Sequence, residues 1–298
     1  MSLRVLEPGL HTLVVDFGRP QWRSLGVPLG GAADRWSLAM GNALVGNRAD
    51  AAALEISLTG PILEATCELG CILYGAPFAL SSESQTLLHG KTFTLQAGER
   101  LRIGGTSRGM RCYLCVAGGF DSELILGSRT RLQPIQAGEE LGCTPSRIAA
   151  RFLHTEPRID NDTPVLRVLP GAQAAWFEPQ AFTSHEYTVT PASNRMGLRL
   201  RGPTLAIPPR ELISEPVCPG AVQVTRDGQC ILLGVDGQTI GGYPKIAQVI
   251  SADLDQLGQL RPGQAIRFVW VTLEEAEQLY AIRQDNLRRW LLRLGVAV

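Results

Sequence analysis

The feature that most constrains this chain is how often it is interrupted. Glycine and proline punctuate it throughout, in signals such as Ala97-Gly98-Glu99, Gly104-Gly105, Gly118-Gly119, Arg226-Asp227-Gly228 and Arg261-Pro262-Gly263. Between them lie short apolar runs of strand length, among them Cys71–Tyr74, Arg111–Val116, Val165–Leu169 and Ala265–Trp270. Runs this short, bounded by turn residues, predict strands, and their close spacing points to barrels or sandwiches over alternating βα units. At 298 residues, 45% hydrophobic and 19% charged, the chain can bury a large core and divide into one large or two medium domains.

Two helices interrupt this pattern. Over residues 34–47, Asp34 is a natural N-cap, Trp36, Ala39, Met40, Ala43 and Leu44 form an apolar stripe, and Gly46-Asn47 is a stop. From Thr272 to about Leu294, Thr272-Leu-Glu-Glu275 reads as a capping box, and Arg288, Arg289 and Arg293 suit the helix C-terminus. The polar, proline-bracketed stretch His154–Pro164 is the expected seam. Leu95-Gln-Ala-Gly-Glu-Arg-Leu-Arg-Ile103 and Leu260-Arg-Pro-Gly-Gln-Ala-Ile-Arg-Phe268 echo one another across it, each a turn entering a strand.

Charge excludes some functions. Lys+Arg 28 balance Asp+Glu 28, so the chain lacks the basic excess of phosphate-backbone binders, and no nucleic-acid role is expected. Lys91 and Lys245 are the only lysines. There is no apolar run long enough to span a membrane and no signal peptide, and the seven cysteines are an odd number, read as reduced and buried. The expectation is a soluble cytoplasmic protein.

Several motifs have plain readings. Gly105-Thr-Ser-Arg-Gly109 matches the nucleophile elbow, but a strand follows it where the elbow needs a helix, so a hairpin turn is expected. Gly90-Lys91-Thr92 resembles the end of a phosphate-binding loop, yet it too leads into a strand. Cys112 and Cys115 sit three apart on one predicted strand, which sends their sulfurs to opposite faces and argues against a zinc site. His11, His89, His154 and His185 have no ligand spacing. No metal is expected.

Glycine-rich polar loops carry the functional signal: Asp16–Pro20, Gly26–Asp34, Ser193–Gly197, Val217–Gln223 and Val235–Pro244. Such loops bring backbone amides close to a ligand, and their Arg, Gln and Asn side chains can orient it. In this order the chain resembles the biotin-dependent carboxyltransferase family, also called allophanate hydrolase subunit 2. The matches are Asp16-x-Gly-Arg-Pro20, Gly26-Val-Pro28, Gly31-Ala-x-Asp34, Asn42-x-Leu-Val-Gly-Asn47, Leu54-Glu-Ile56, Tyr113-Leu-x-Val-Ala-Gly-Gly119, Leu126-Gly-Ser-Arg129, Arg195-Met-Gly197, Pro219-Gly-Ala-x-Gln223 and Gln238-Thr-x-Gly-Gly-Tyr-Pro244. The family usually has Gln at Val15, Ser at Gly30, Asp at Asn194 and Thr at Ile240.

The resemblance implies a mainly β fold: two tandem cyclophilin-like barrels over 1–155 and 165–271, with a C-terminal helix over 272–298. It implies one component of an ATP-dependent 5-oxoprolinase that hydrolyses 5-oxo-L-proline to L-glutamate beside B-like and A-like partner subunits. The alternatives are a urea-carboxylase-type carboxyltransferase, with carboxybiotin supplied in trans, and a non-catalytic scaffold of the same kind of complex. In this reading the chain alone holds no cofactor, and ATP is used by the complex. Arg195, Gln238, Thr239 and Tyr243 are the expected catalytic residues. Arg19, Asp34, Asn42, Gln223, Gly241 and Gly242 are the expected substrate contacts, with Asp34 also a helix cap and Arg195 also able to pair with a nearby carboxylate.

Overall fold

A computed structural model describes residues 1–153, 163–210 and 212–296. The core of the expected seam, 154–162, lies outside the described residues. The chain divides into two compact units that are not consecutive in sequence: Met1–Gly18, Asp34–Ile159 and Asn286–Val298 in one, Arg19–Ala33 and Asp160–Asp285 in the other. Residues 19–33, which the expected range 1–155 includes, thus group with the second unit.

In the first unit the strands are β1 (Ser2–Glu7), β2 (His11–Val15), β3 (Ala53–Ser57), β4 (Ile62–Ala65), β5 (Leu69–Gly75), β6 (Phe78–Ser82), β7 (Phe93–Leu95), β8 (Arg100–Thr106), β9 (Arg111–Val116), β10 (Phe120–Asp121) and β11 (Glu140–Cys143). They form two antiparallel sheets, ordered β10-β11-β1-β4-β8-β6 and β2-β3-β9-β5-β7. Both feed one core that includes Leu3, Leu54, Leu63, Leu73, Leu101 and Leu114. Strands β8 and β9 lie in different sheets, so the Gly105–Gly109 segment is a sheet-to-sheet corner and not the expected hairpin. Helix α1 (Arg35–Leu44) is capped by Asp34, which accepts from the Ser37 backbone N–H at 2.9 Å and the Ser37 hydroxyl at 2.6 Å. The expected single stripe is too narrow: every residue from Ser37 to Leu44 is buried. Cys112 belongs to the core with Leu114 and Val116, whereas Cys115 faces Gly41 of α1. The seven cysteines are all free.

The second unit contains β12 (Val165–Pro170), α2 (Pro179–Thr183), β13 (Tyr187–Val189), β14 (Gly197–Arg201), β15 (Glu215–Pro216), β16 (Ala221–Val224), β17 (Cys230–Leu233), β18 (Ile240–Gly241), β19 (Lys245–Val249) and β20 (Ala265–Trp270). Seven of these strands close a barrel in the order β12-β19-β16-β17-β14-β13-β20, sealed by a parallel β12–β20 pair. The rings of Phe182, Tyr187 and Phe268 stack inside it with Leu166, Val222 and Leu232. Strands β15 and β18 form a separate two-stranded sheet.

One turn is used three times. In Gln96–Glu99, Gln136–Glu139 and Arg261–Gln264 the third residue is a glycine with φ of 82°, 86° and 87°. Only glycine takes that conformation without strain. In each, the fourth side chain accepts from the first residue's N–H, at 2.8, 2.8 and 3.2 Å. The glycine N–H donates to a neighbouring strand carbonyl: Ala65, Val5 and Val189 respectively. The first and third turns are the two halves of the sequence echo.

Helix α3 (Leu273–Arg293) begins with the expected capping box: Thr272 N–H donates to Glu275 Oε2 at 2.8 Å, and Glu275 N–H to Thr272 Oγ1 at 3.2 Å. It ends in a glycine C-cap, with Gly295 N–H on the Leu292 carbonyl and Val296 N–H on that of Leu291. Ala276 and Leu279 pack with Ile250 and Ala252 of the second unit, and Leu287, Leu291 and Leu294 with Ala43 and Ala49 of the first. Among the described residues no helix is long and apolar enough to cross a membrane.

Candidate functional site

The polar loops of the second unit converge on the β15–β18 sheet. A cleft of 640 Å³ opens beside it, lined by Gln238, Gly242, Tyr243 and Pro244 together with Ile207, Arg210, Leu212, Ile213 and Arg226. The expected residues Gln238, Gly242 and Tyr243 line it, and Gly241 lies against both Gln223 and Gln238.

Gln223 stands out within this group. It is 1% exposed in the barrel strand β16, and its Nε2 has no hydrogen-bond partner among the described residues. A buried donor left unmade costs on the order of 1–3 kcal/mol, so a folded chain rarely keeps one without a use. Gly241 explains how it is accommodated: a Cβ at that position would fall 2.5 Å from Gln223 Nε2 and 2.8 Å from Gln238 Nε2. The absence of a side chain at Gly241 is what allows two amide nitrogens to approach the same point.

Beside them lies an ion pair that the sequence did not announce. Lys245 pairs in register with Gln223 across β16 and β19, and Glu215 pairs with Gly241 across β15 and β18. The buried Lys245 ammonium donates to Glu215 Oε2 at 2.5 Å, and Gln173 Nε2 donates to the same oxygen at 3.2 Å. Gln173 Oε1 in turn accepts from the Lys245 backbone N–H at 3.0 Å. The hydrogen bonds from Lys245 and then Gln173 hold the Glu215 carboxyl below its ordinary range. The one available signal was compositional: Lys245 is the single lysine in the second half of an arginine-rich chain.

Arg195 realises its bland alternative. Its Nε and Nη2 grip the Asp236 carboxylate at 2.7 and 3.1 Å, and Nη2 also donates to the Gly31 carbonyl at 2.6 Å. The Asp236 N–H returns a bond to the Arg195 carbonyl at 3.1 Å. Arg195 therefore fastens the 26–34 and 235–244 loops. Two further bonds hold segment 19–33: Gly30 N–H to Val235 O at 2.9 Å, and Arg23 Nη2 to Val217 O at 2.6 Å. Arg19 is buried in this segment, its N–H on the Leu29 carbonyl at 2.8 Å. Thr239 is also buried, and its carbonyl accepts from Val217 N–H at 2.9 Å.

Asp34 and Asn42 belong to the first unit, where they do structural work. Asp34 caps α1, and its N–H donates to the Tyr113 hydroxyl at 2.8 Å. That hydroxyl donates to the fully buried Glu55 at 2.8 Å, and Glu55 is paired with Arg111 at 3.2 Å. Burial, reinforced by the Glu55 and Asp34 charges, pushes the Tyr113 phenol well up and keeps it a donor. Asn42 donates to the Ala51 carbonyl at 2.7 Å and accepts from Asn47 Nδ2 at 3.0 Å. Its amide thus bonds to Ala51 and Asn47 of the loop after α1, and the structure does not bring it together with Gln223 and Gln238. Among the described residues no cluster of His, Cys, Asp or Glu could hold a metal ion.

Residues 25–270 match the model of the carboxyltransferase domain, subdomain A and B. The chain belongs to that family. Within it, this carboxyltransferase-domain chain is 36% identical over 300 residues to the 5-oxoprolinase C subunit of Escherichia coli (strain K12), covering 96% of each. It is 28% identical to urea amidolyase of Lachancea kluyveri, over 93% of this chain but 17% of that one. The crystal structure of the Kluyveromyces lactis urea carboxylase superposes with a TM-score of 0.88 at 26% identity, over 97% of this chain and 29% of that one.

Proposed function

We propose that this chain is the C subunit of an ATP-dependent 5-oxoprolinase, converting 5-oxo-L-proline to L-glutamate with B-like and A-like partner subunits. The observation that carries this reading is the end-to-end likeness to the 5-oxoprolinase C subunit, 96% of both chains, against a match to only 17% of urea amidolyase. ATP is used by the complex, and the chain itself contributes positioning. In lactam hydrolysis negative charge builds on the carbonyl oxygen as the nucleophile adds, before the ring opens, and fixed donors in a water-poor cleft stabilise such charge. Gln223 and Gln238 supply those donors, the Gly241–Gly242 backbone forms the wall, and Tyr243 covers the ligand. Arg195 and Lys245 act at one remove, by fixing the loops that carry these groups.

Co-expression with B-like and A-like partners tests the reading: glutamate should be released from 5-oxoproline in the presence of ATP. A stable three-component complex that releases none overturns it. A urea-carboxylase-type carboxyltransferase is the second reading, favoured by the superposition on urea carboxylase. Carboxybiotin-dependent turnover of urea, with biotin held on a partner, would establish that reading instead.

A further inference from the structure

The cleft beside β15–β18 carries two kinds of group that select different parts of a ligand. One kind is amide: Gln238 lines the cleft, and the buried Nε2 of Gln223, which has no partner among the described residues, approaches it at Gly241. Arg210 and Arg226 line the same cleft. Neither guanidinium is ion-paired with a described residue, and the described lining contains no carboxylate to neutralise them. Arg210 rests over the Trp176 ring, 5.6 Å from its centroid, which restrains the side chain without using its hydrogen-bond donors. Neutral amide donors and two guanidiniums that no described residue pairs, gathered at one cleft, fit a small ligand with an uncharged carbonyl at one end and a carboxylate at the other. Urea has only the first.

We propose that Arg210 and Arg226 are the specificity-determining residues of this cleft, reading the carboxylate of a cyclic amide whose carbonyl is held by Gln223 and Gln238. This rests on the 5-oxoprolinase reading and deepens it, because it says why a carboxylated lactam is accepted and a bare amide or urea is not. Guanidinium–carboxylate bonds are charge-assisted and can be bidentate, so their removal weakens ligand binding without touching the fold of an exposed loop.

The test uses the R210Q/R226Q double variant in the assembled complex, with 5-oxoproline as substrate and 2-pyrrolidinone, the same ring without its carboxylate, as competitor. The KM for 5-oxoproline should rise roughly tenfold to a hundredfold, with kcat little changed and inhibition by 2-pyrrolidinone unaltered. A KM within twofold of the parent complex overturns the proposal while leaving the 5-oxoprolinase reading intact. If the parent complex releases no glutamate, that reading fails by itself. Equilibrium titration of the full chain with the two lactams then decides the arginines. Preference for the carboxylated ring, lost in R210Q/R226Q, supports their role; equal binding, or none, overturns it.

Discussion

At the scale of single residues, Gln223 poses a choice between stability and use. A leucine there would fill similar space on a fully buried strand and remove a donor that has no partner among the described residues. Replacing such a group with an apolar one of like shape is neutral or stabilising. Gln223→Leu should therefore leave the melting temperature unchanged or slightly raised while glutamate release from the complex falls by on the order of 10²–10³. A variant that melts early and keeps its turnover would assign Gln223 to the core. Gly241→Ala approaches the same point from the other side. Its methyl group must displace both Gln223 Nε2 and Gln238 Nε2, so activity should fall on the order of a hundredfold, with secondary structure retained by circular dichroism. The pairings hardest to find from sequence were those whose members lie far apart along the chain. Arg195 meets Asp236, and Lys245 meets Glu215, only because the barrel sets their strands and loops in register. By contrast, Asp34 announced its capping role locally, three residues before the N–H it holds.

Among the elements, the repeated turn carries a pH signature. Glu139 is held below the ordinary carboxylate range by Arg131 and by the Gln136 N–H. Glu99 is lowered as well, although burial opposes the change, by hydrogen bonds from Ser82, Ser84, Gln96 and Gln85. A depressed folded-state pKa contributes stability above the unfolded value, and that stability is lost as pH falls through the folded one. The third turn uses Gln264, which does not titrate. Acidification below the usual carboxylate range should thus loosen the two turns of the first unit and spare the one in the second. Glu99→Gln and Glu139→Gln should flatten the fall of melting temperature with decreasing pH. An unchanged slope in the double variant would remove these turns as the acid-sensitive points. Elements of this kind were legible because glycine, proline and capping residues act within four positions. The sheet-to-sheet corner at Gly105–Gly109 was not, since the same turn residues serve a hairpin and a change of sheet.

For the whole molecule, two expectations follow from composition and likeness together. With equal numbers of acidic and basic residues and a pI near 6.9, the chain has no global field to steer an anionic ligand, so binding must rest on local groups. The isolated chain should neither hydrolyse ATP in response to 5-oxoproline nor carry covalent biotin or stoichiometric metal. Mass spectrometry and metal analysis of the purified protein check the second point, and a coupled ATPase assay with and without partners checks the first. The mainly β architecture and the C-terminal helix were readable from turn density, periodicity and capping, whereas a barrel over a sandwich was implied only by the family resemblance. The grouping of residues 19–33 with the second unit was not, because that segment attaches through the backbone carbonyls of Val217 and Val235 and through its own Gly31 carbonyl, none of which leaves a mark in the side-chain pattern.

That interleaving has a consequence for how the protein is made. Residues 19–33 leave the ribosome more than a hundred residues ahead of the rest of their unit, and the first unit is finished only when residues 286–298 follow. The unit begun first is thus completed last, against the usual order in which domains mature one after another from the N-terminus. A gene split at the midpoint would strand fifteen residues on the wrong polypeptide and remove a docking helix from the other, so the two halves should be recoverable only when both pieces are synthesised together.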